Sequence, residues 1–67
     1  MEINDTFSFT IDKIREDECN KIFIGNYQNY VIRAFATLNS NCEVGRTVNC
    51  RVTQRNFNSR VVYGVVY

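Results

Sequence analysis

The sequence predicts a small all-β domain of five strands closed into a barrel, and three observations support that prediction. Residues 6–11 and 47–53 alternate strictly between apolar and polar side chains, which is the two-residue period of a half-buried strand. Residues 27–38 and 60–67 are rich in the β-branched and aromatic side chains that favour strands. The segments between these runs contain the glycine, asparagine and serine that are typical of turns.

The first strand, residues 6–11, places Phe7, Phe9 and Ile11 on one face and hydroxyl side chains on the other. Residues 12–20 are ambiguous, because Ile11, Ile14, Glu18 and Ile22 lie at near-helical spacing while the charged residues 15–18 are typical of a solvated loop. We predict a loop or a single helical turn there. The alternative fold is therefore α+β, an antiparallel sheet with one short helix near residues 12–20.

The middle of the chain is predicted to form a hairpin. Residues 21–25 are a short β-rich run and residues 27–38 a longer one, and between them Gly25 and Asn26 tolerate the positive φ angles of a turn. Residues 39–45 are polar and turn-prone, so we expect them to form a surface connection.

The fourth strand, residues 47–53, directs Val48, Cys50 and Val52 inward by its alternation. Cys50 is therefore predicted to be a small core residue. Residues 54–59 are predicted to form a second hairpin loop, because asparagine and serine support turns through local hydrogen bonds.

The last strand is apolar on both faces, which is more apolar surface than one small interior absorbs. Val61, Tyr63 and Val65 lie on one side of it, and two further valines lie on the other side beside Gly64. One side needs cover from residues 12–20, from a second copy of the chain or from a partner protein. The predicted oligomer interface consists of Val62, Val66 and Tyr67.

The segment 44–52 reads Val-Gly-Arg-Thr-Val-Asn-Cys-Arg-Val, and an Arg/Asn-rich turn and a Val/Tyr strand follow it. This C-terminal part, about a third of the chain, resembles hairpins of S1-like and related small RNA-binding barrels. The resemblance implies a five-stranded Greek-key barrel of the OB type. In such barrels, aromatic side chains on strands two and three stack on the bases of single strands, and cations follow the phosphates.

The residues that most enzymes and metal sites need are scarce. The chain has no histidine, its three glycines are far apart, and its three cysteines form no Cys-x-x-Cys pair. The acidic cluster within residues 12–18 is best explained as a solvated loop. We therefore expect no enzymatic activity, no metal and no cofactor.

Composition indicates one folded domain, residues 1–67, with 45% apolar residues and a net charge of +1. The charge is uneven: residues 1–34 carry four cations and six carboxylates, whereas the second half carries four arginines and one carboxylate. The first residues lack the features of a secretory signal and no run is apolar enough to span a bilayer, so we expect a cytoplasmic protein. The absence of proline, histidine and tryptophan beside nine asparagines suggests an A/T-rich genome such as that of a bacteriophage.

Two functional hypotheses follow. The first is a small protein-interaction factor, encoded by a phage or mobile element and in one version an inhibitor of a host protein, because Tyr, Phe and Arg are enriched at interfaces. The second is a module that binds single-stranded nucleic acid, which the low net charge disfavours. The side chains expected to contact either partner are Tyr27, Tyr30, Arg33, Arg51, Arg55, Phe57 and Arg60.

Overall fold

The computed structural model describes all 67 residues as six strands and no helix, so it has no helix that could cross a membrane. The all-β prediction is confirmed, the α+β alternative is wrong, and the structure has six strands where five were predicted. The strands form one sheet in the order β1-β5-β6-β4-β3-β2, which curls into an open half-barrel. Their bounds are β1 Thr6–Thr10, β2 Lys13–Glu16, β3 Lys21–Tyr27, β4 Tyr30–Ala36, β5 Thr47–Asn56 and β6 Val61–Val66.

Neighbouring strands pair antiparallel, with one exception. Strand β6 pairs parallel with β4 on one side and antiparallel with β5 on the other. The chain therefore passes from β4 through the connection 37–46 to β5, and β6 then returns to fill the place between them. The predicted surface connection, residues 39–45, lies within this segment.

The additional strand is β2, in the segment predicted to be a loop or a helical turn. It pairs antiparallel with β3, with Ile14 opposite Phe23 and directed toward the core. The turn that follows is held by the Asp17 carboxylate, which accepts hydrogen bonds from the backbone N–H of Cys19 (2.9 Å) and Asn20 (2.7 Å). These bonds lower the pKa of Asp17. Because this carboxylate closes a tight hairpin, the near-helical spacing of the isoleucines produces no helix.

The β3–β4 turn lies at Gln28 and Asn29, with φ angles of 49° and 69°, and not at Gly25 and Asn26 as predicted. Gly25 is instead a buried residue within β3. A Cβ atom at this position would overlap the Thr10 carbonyl oxygen and lie 2.6 Å from a ring carbon of Phe9. The glycine therefore permits the close approach of β1 to β3. In the sequence, a glycine required by such a long-range contact looks the same as a glycine of a turn.

The core lies on the concave side of the sheet and contains no buried polar residue. As predicted, Val48, Cys50 and Val52 point inward along β5. A β-bulge between Val52 and Gln54 then shifts the alternation, so that Arg55 lies opposite the inward-facing Val62. The core residues are Phe9, Ile11, Phe23, Ile32, Ala34, Ala36, Val48, Cys50, Val52 and Val62.

The three cysteines differ in exposure, which predicts their order of reaction with a thiol reagent. Cys19 is exposed, Cys42 is half-buried and Cys50 is fully buried, and burial raises the pKa of the Cys50 thiol from 9.0 to about 11. We expect Ellman's reagent to modify Cys19 first, Cys42 more slowly, and Cys50 only when urea unfolds the domain.

The raised pKa of Cys50 also predicts that the folded state becomes less stable at alkaline pH. The unfolded chain ionises this thiol at lower pH than the folded one, so its contribution to stability is complete below pH 9 and is lost toward pH 11. Rapid modification of all three thiols in the native protein would contradict the closed core described here.

Candidate functional site

Alternate side chains of the strands point away from the core and form the outer face of the half-barrel. The pairing places these side chains in rows across the sheet, because residues opposite one another in a register share a face. The first row consists of Lys13, Ile24, Arg33, Tyr63 and Gln54. The second row consists of Arg15, Ile22, Phe35, Val65 and Arg51.

The outer face carries cations without matching carboxylates. The two rows contain four exposed cations, Lys13, Arg15, Arg33 and Arg51, and no Asp or Glu. Two carboxylates adjoin these cations along the chain, Asp12 before Lys13 and Glu16 after Arg15. The Asp12 Oδ2 accepts a hydrogen bond from Asn26 Nδ2 at 3.2 Å, and Glu16 is the last residue of β2. The remaining acidic side chains lie in the N-terminal segment, in the β2–β3 turn and in the connection. Cations and carboxylates that are mixed along the sequence therefore lie in different parts of the fold.

The centre of the outer face is apolar and only half covered. The rings of Phe35 and Tyr63 and the side chains of Ile22, Ile24 and Val65 are half-buried, and no other element lies over them. One-sided antiparallel sheets usually turn polar side chains to water. An apolar centre surrounded by cations is therefore a surface suited to a partner.

A second group of aromatic residues lies at the open end of the half-barrel, on the inward side. We call Phe7, Tyr27, Tyr30, Arg55 and Phe57 the rim cluster. The rings of Phe7 and Tyr27 are 4.7 Å apart, those of Tyr30 and Phe57 are 6.3 Å apart, and the Arg55 guanidinium carbon lies 4.8 Å from the Phe57 ring centre. These contacts join aromatic residues of β1, of the β3–β4 hairpin and of the β5–β6 hairpin.

Arg55 is engaged within the chain. Its Nη1 forms an ion pair with Glu2 Oε2 at 3.0 Å and donates a hydrogen bond to the Met1 carbonyl oxygen. Phe57 remains 53% exposed despite its contacts with Tyr30 and Arg55. The rim cluster therefore offers an exposed ring but no free cation.

The contact residues predicted from sequence divide between these two places. Arg33 and Arg51 lie on the outer face, whereas Tyr27, Tyr30, Arg55 and Phe57 belong to the rim cluster. Arg60 lies in the β5–β6 turn with a φ of 54°. The predicted contact residues do not include Lys13, Arg15 and Tyr63, and Phe35 was weighed mainly as a core residue. The place of Lys13 and Arg15 on this face follows from alternation only after β2 is recognised as a strand.

The predicted oligomer interface requires a correction. Val62 is fully buried in the core, so it cannot meet a second chain while the fold is intact. Val66 packs against the core, and Tyr67 is 68% exposed. The face of β6 that reaches the surface is the alternate one, with Val61, Tyr63 and Val65.

A groove lies at the β5 end of the first row, between the outer face and the β5–β6 turn. Its volume is about 520 Å³, and it is largely open to solvent. We call it the hairpin groove. Its lining residues are Gln54, Arg55, Asn56, Phe57, Asn58 and Tyr63.

Together, the fold and the outer face define an all-strand half-barrel protein with a cationic, aromatic surface. No group of three His, Cys, Asp or Glu side chains lies close enough together to hold a metal ion. Comparisons with protein-family models, with curated proteins and with solved structures found no match. The function must therefore be argued from the side chains of this chain.

Proposed function

We propose that the half-barrel is of the OB type, with β1 and β2 as two halves of one bent strand. Only Ile11 and Asp12 separate these halves. The first half pairs with β5 and the second with β3, so the bent strand joins the two ends of the sheet. The parallel pairing of β4 with β6 supports the same assignment, because a five-stranded Greek-key barrel needs one such return.

We propose that the outer face binds single-stranded nucleic acid. The observation that carries this proposal is the presence of four cations and no carboxylate around two half-exposed rings. Proteins that bind single strands combine these two features, because cations follow the phosphates while aromatic rings stack on the bases. Phe35 and Tyr63 are diagonal neighbours on β4 and β6, so two successive bases can each meet a ring.

The net charge of +1 is compatible with this role. A phosphate close to the sheet experiences mainly the charges within about 8–10 Å of it, because salt largely screens charges that lie farther away. The low net charge limits only long-range attraction. We therefore expect moderate affinity with a clear dependence on salt.

A protein-interaction role is the second candidate, and the aliphatic side chains favour it. Ile22, Ile24 and Val65 are half-buried on the outer face, and Val31 is 36% exposed beside them. A second copy of the chain would bring four cations against four, which is unfavourable. The protein partner that suits this face is therefore one with an acidic surface around an apolar centre.

Salt dependence tests the first candidate. We expect fluorescently labelled single-stranded DNA and RNA to bind at low salt. A plot of the logarithm of the association constant against the logarithm of the salt concentration should have a slope of about −3 if all four cations contact phosphates. Replacing Arg33 with glutamine should reduce the steepness of that slope by about 0.7, because one phosphate contact is lost. Fluorescence anisotropy at several salt concentrations measures both effects.

The matched control is Arg46→Gln. Arg46 is an exposed cation in the segment before β5, outside the two rows of the outer face. The Arg46→Gln variant changes the net charge by the same amount as Arg33→Gln and should leave the salt slope unchanged. Absence of any association at low salt, or equal losses for the two variants, would exclude nucleic-acid binding by the outer face.

A further inference from the structure

We propose that the hairpin groove accepts one adenine base of a bound single strand. This inference rests on the proposed nucleic-acid function, because the groove continues the first row of the outer face. Gln54 lies opposite Tyr63, and Tyr63 lies opposite Arg33. A strand with a phosphate at Arg33 therefore has the groove within reach along the same row.

The lining of the hairpin groove has the chemistry of a site that reads a base. Two rings, Phe57 and Tyr63, offer apolar surface, and three neutral amides lie with them, those of Gln54, Asn56 and Asn58. An amide presents a donor and an acceptor side by side, which matches the N6 and N7 groups of adenine.

Two of these amides are free to bind. The side chains of Gln54 and Asn58 take part in none of the side-chain hydrogen bonds of the chain. The Asn56 Oδ1 accepts a hydrogen bond from the backbone N–H of Ser59 at 3.3 Å, so this amide supports the turn. Gln54 is therefore the principal candidate for reading the base, since it also belongs to the first row of the outer face.

The other bases fit the lining less well. Guanine is usually read by a cation at O6 and N7, and Arg55, which is the cation of the groove, is held by Glu2 and the Met1 carbonyl. Cytosine is read by a carboxylate, and the lining contains none. Thymine offers on the same edge only one acceptor, O4, beside its methyl group, so an amide cannot form two hydrogen bonds with it there.

Short homopolymers test this inference. We expect oligo(dA) to bind about tenfold more tightly than oligo(dT) or oligo(dC) of equal length at low salt. One bidentate contact to a base gives discrimination of about this size. Gln54→Ala should lower the affinity for oligo(dA) by close to this factor and so remove most of the preference, with a much smaller effect on the affinity for oligo(dC). The control Gln28→Ala removes an exposed amide in the β3–β4 turn and should preserve the preference.

The outcomes separate this inference from the function on which it rests. Binding of all three homopolymers with equal affinity would overturn the adenine site and leave the outer face as the binding surface. A preference for oligo(dA) that survives Gln54→Ala would overturn it as well, because the base would then be read elsewhere. Failure of every oligonucleotide to bind, with an acidic protein as the partner, would exclude the proposed function together with the adenine site.

Discussion

Replacing Gly64 with alanine is expected to cost about 3 kcal/mol or more of folding stability, the upper end of overpacking effects. Gly64 is buried in β6, and an added Cβ would overlap the Cys50 sulfur and lie 2.5 Å from the Arg51 carbonyl oxygen. Both atoms belong to β5, which pairs with β6, so relief would require separation of two paired strands. A domain of 67 residues has only about 3–10 kcal/mol of stability in total.

Urea denaturation followed by circular dichroism measures this loss, and Gly45→Ala is the matched control. Gly45 has a φ of 93° and no atom within 4 Å of an added Cβ, so alanine there brings backbone strain without a clash. Such strain costs about 1–2 kcal/mol. If Gly64→Ala were as stable as Gly45→Ala, the close packing of β5 on β6 described here would be wrong.

Replacing Phe35 with leucine is expected to weaken the binding of single-stranded nucleic acid by about five- to 150-fold. Stacking of a base on an aromatic side chain contributes about 1–3 kcal/mol, and leucine offers no aromatic face. Leucine keeps most of the apolar volume, so the stability of the domain should change by less than about 1.5 kcal/mol. Anisotropy titration at low salt, together with a urea denaturation curve, separates the two effects.

Phe7→Leu is the control for this experiment, because Phe7 belongs to the rim cluster and lies on the inward side of the sheet. It should leave nucleic-acid affinity unchanged. The same Phe35→Leu variant distinguishes the two candidate functions, since an acidic protein partner with an apolar centre would tolerate leucine. Unchanged nucleic-acid affinity in this variant would mean that Phe35 is not a stacking surface.

Several features of the fold were predictable because they depend on local patterns. The alternation along β1 and β5 correctly places Phe9, Val48, Cys50 and Val52 in the core. Strand β2 was missed because four residues are too short for a period of two to be distinguished from a helical turn. The turn at Gln28 and Asn29 was missed because Gly25 and Asn26 carry the stronger local turn signal.

The candidate site was only partly predictable. Arginines on the later strands were identified as contact residues, but Arg55 is held by Glu2 in the N-terminal segment, which no pattern near residue 55 indicates. The outer face joins Lys13 of β2, Arg33 of β4 and Arg51 of β5. Its charge therefore depends on strand order, and a count of charges along the chain does not show it.

By itself, the sequence of this protein determines a mostly β chain and the inward side of each strand whose polar and apolar residues alternate. The tertiary structure alone decides the orientation of β6, because both of its faces are apolar and a period of two then indicates no direction. Pairing with β4 and β5 turns Val62 inward and leaves Tyr63 on the outer face. The same long-range pairing brings the separated cations together, and this placement supports the proposed binding surface.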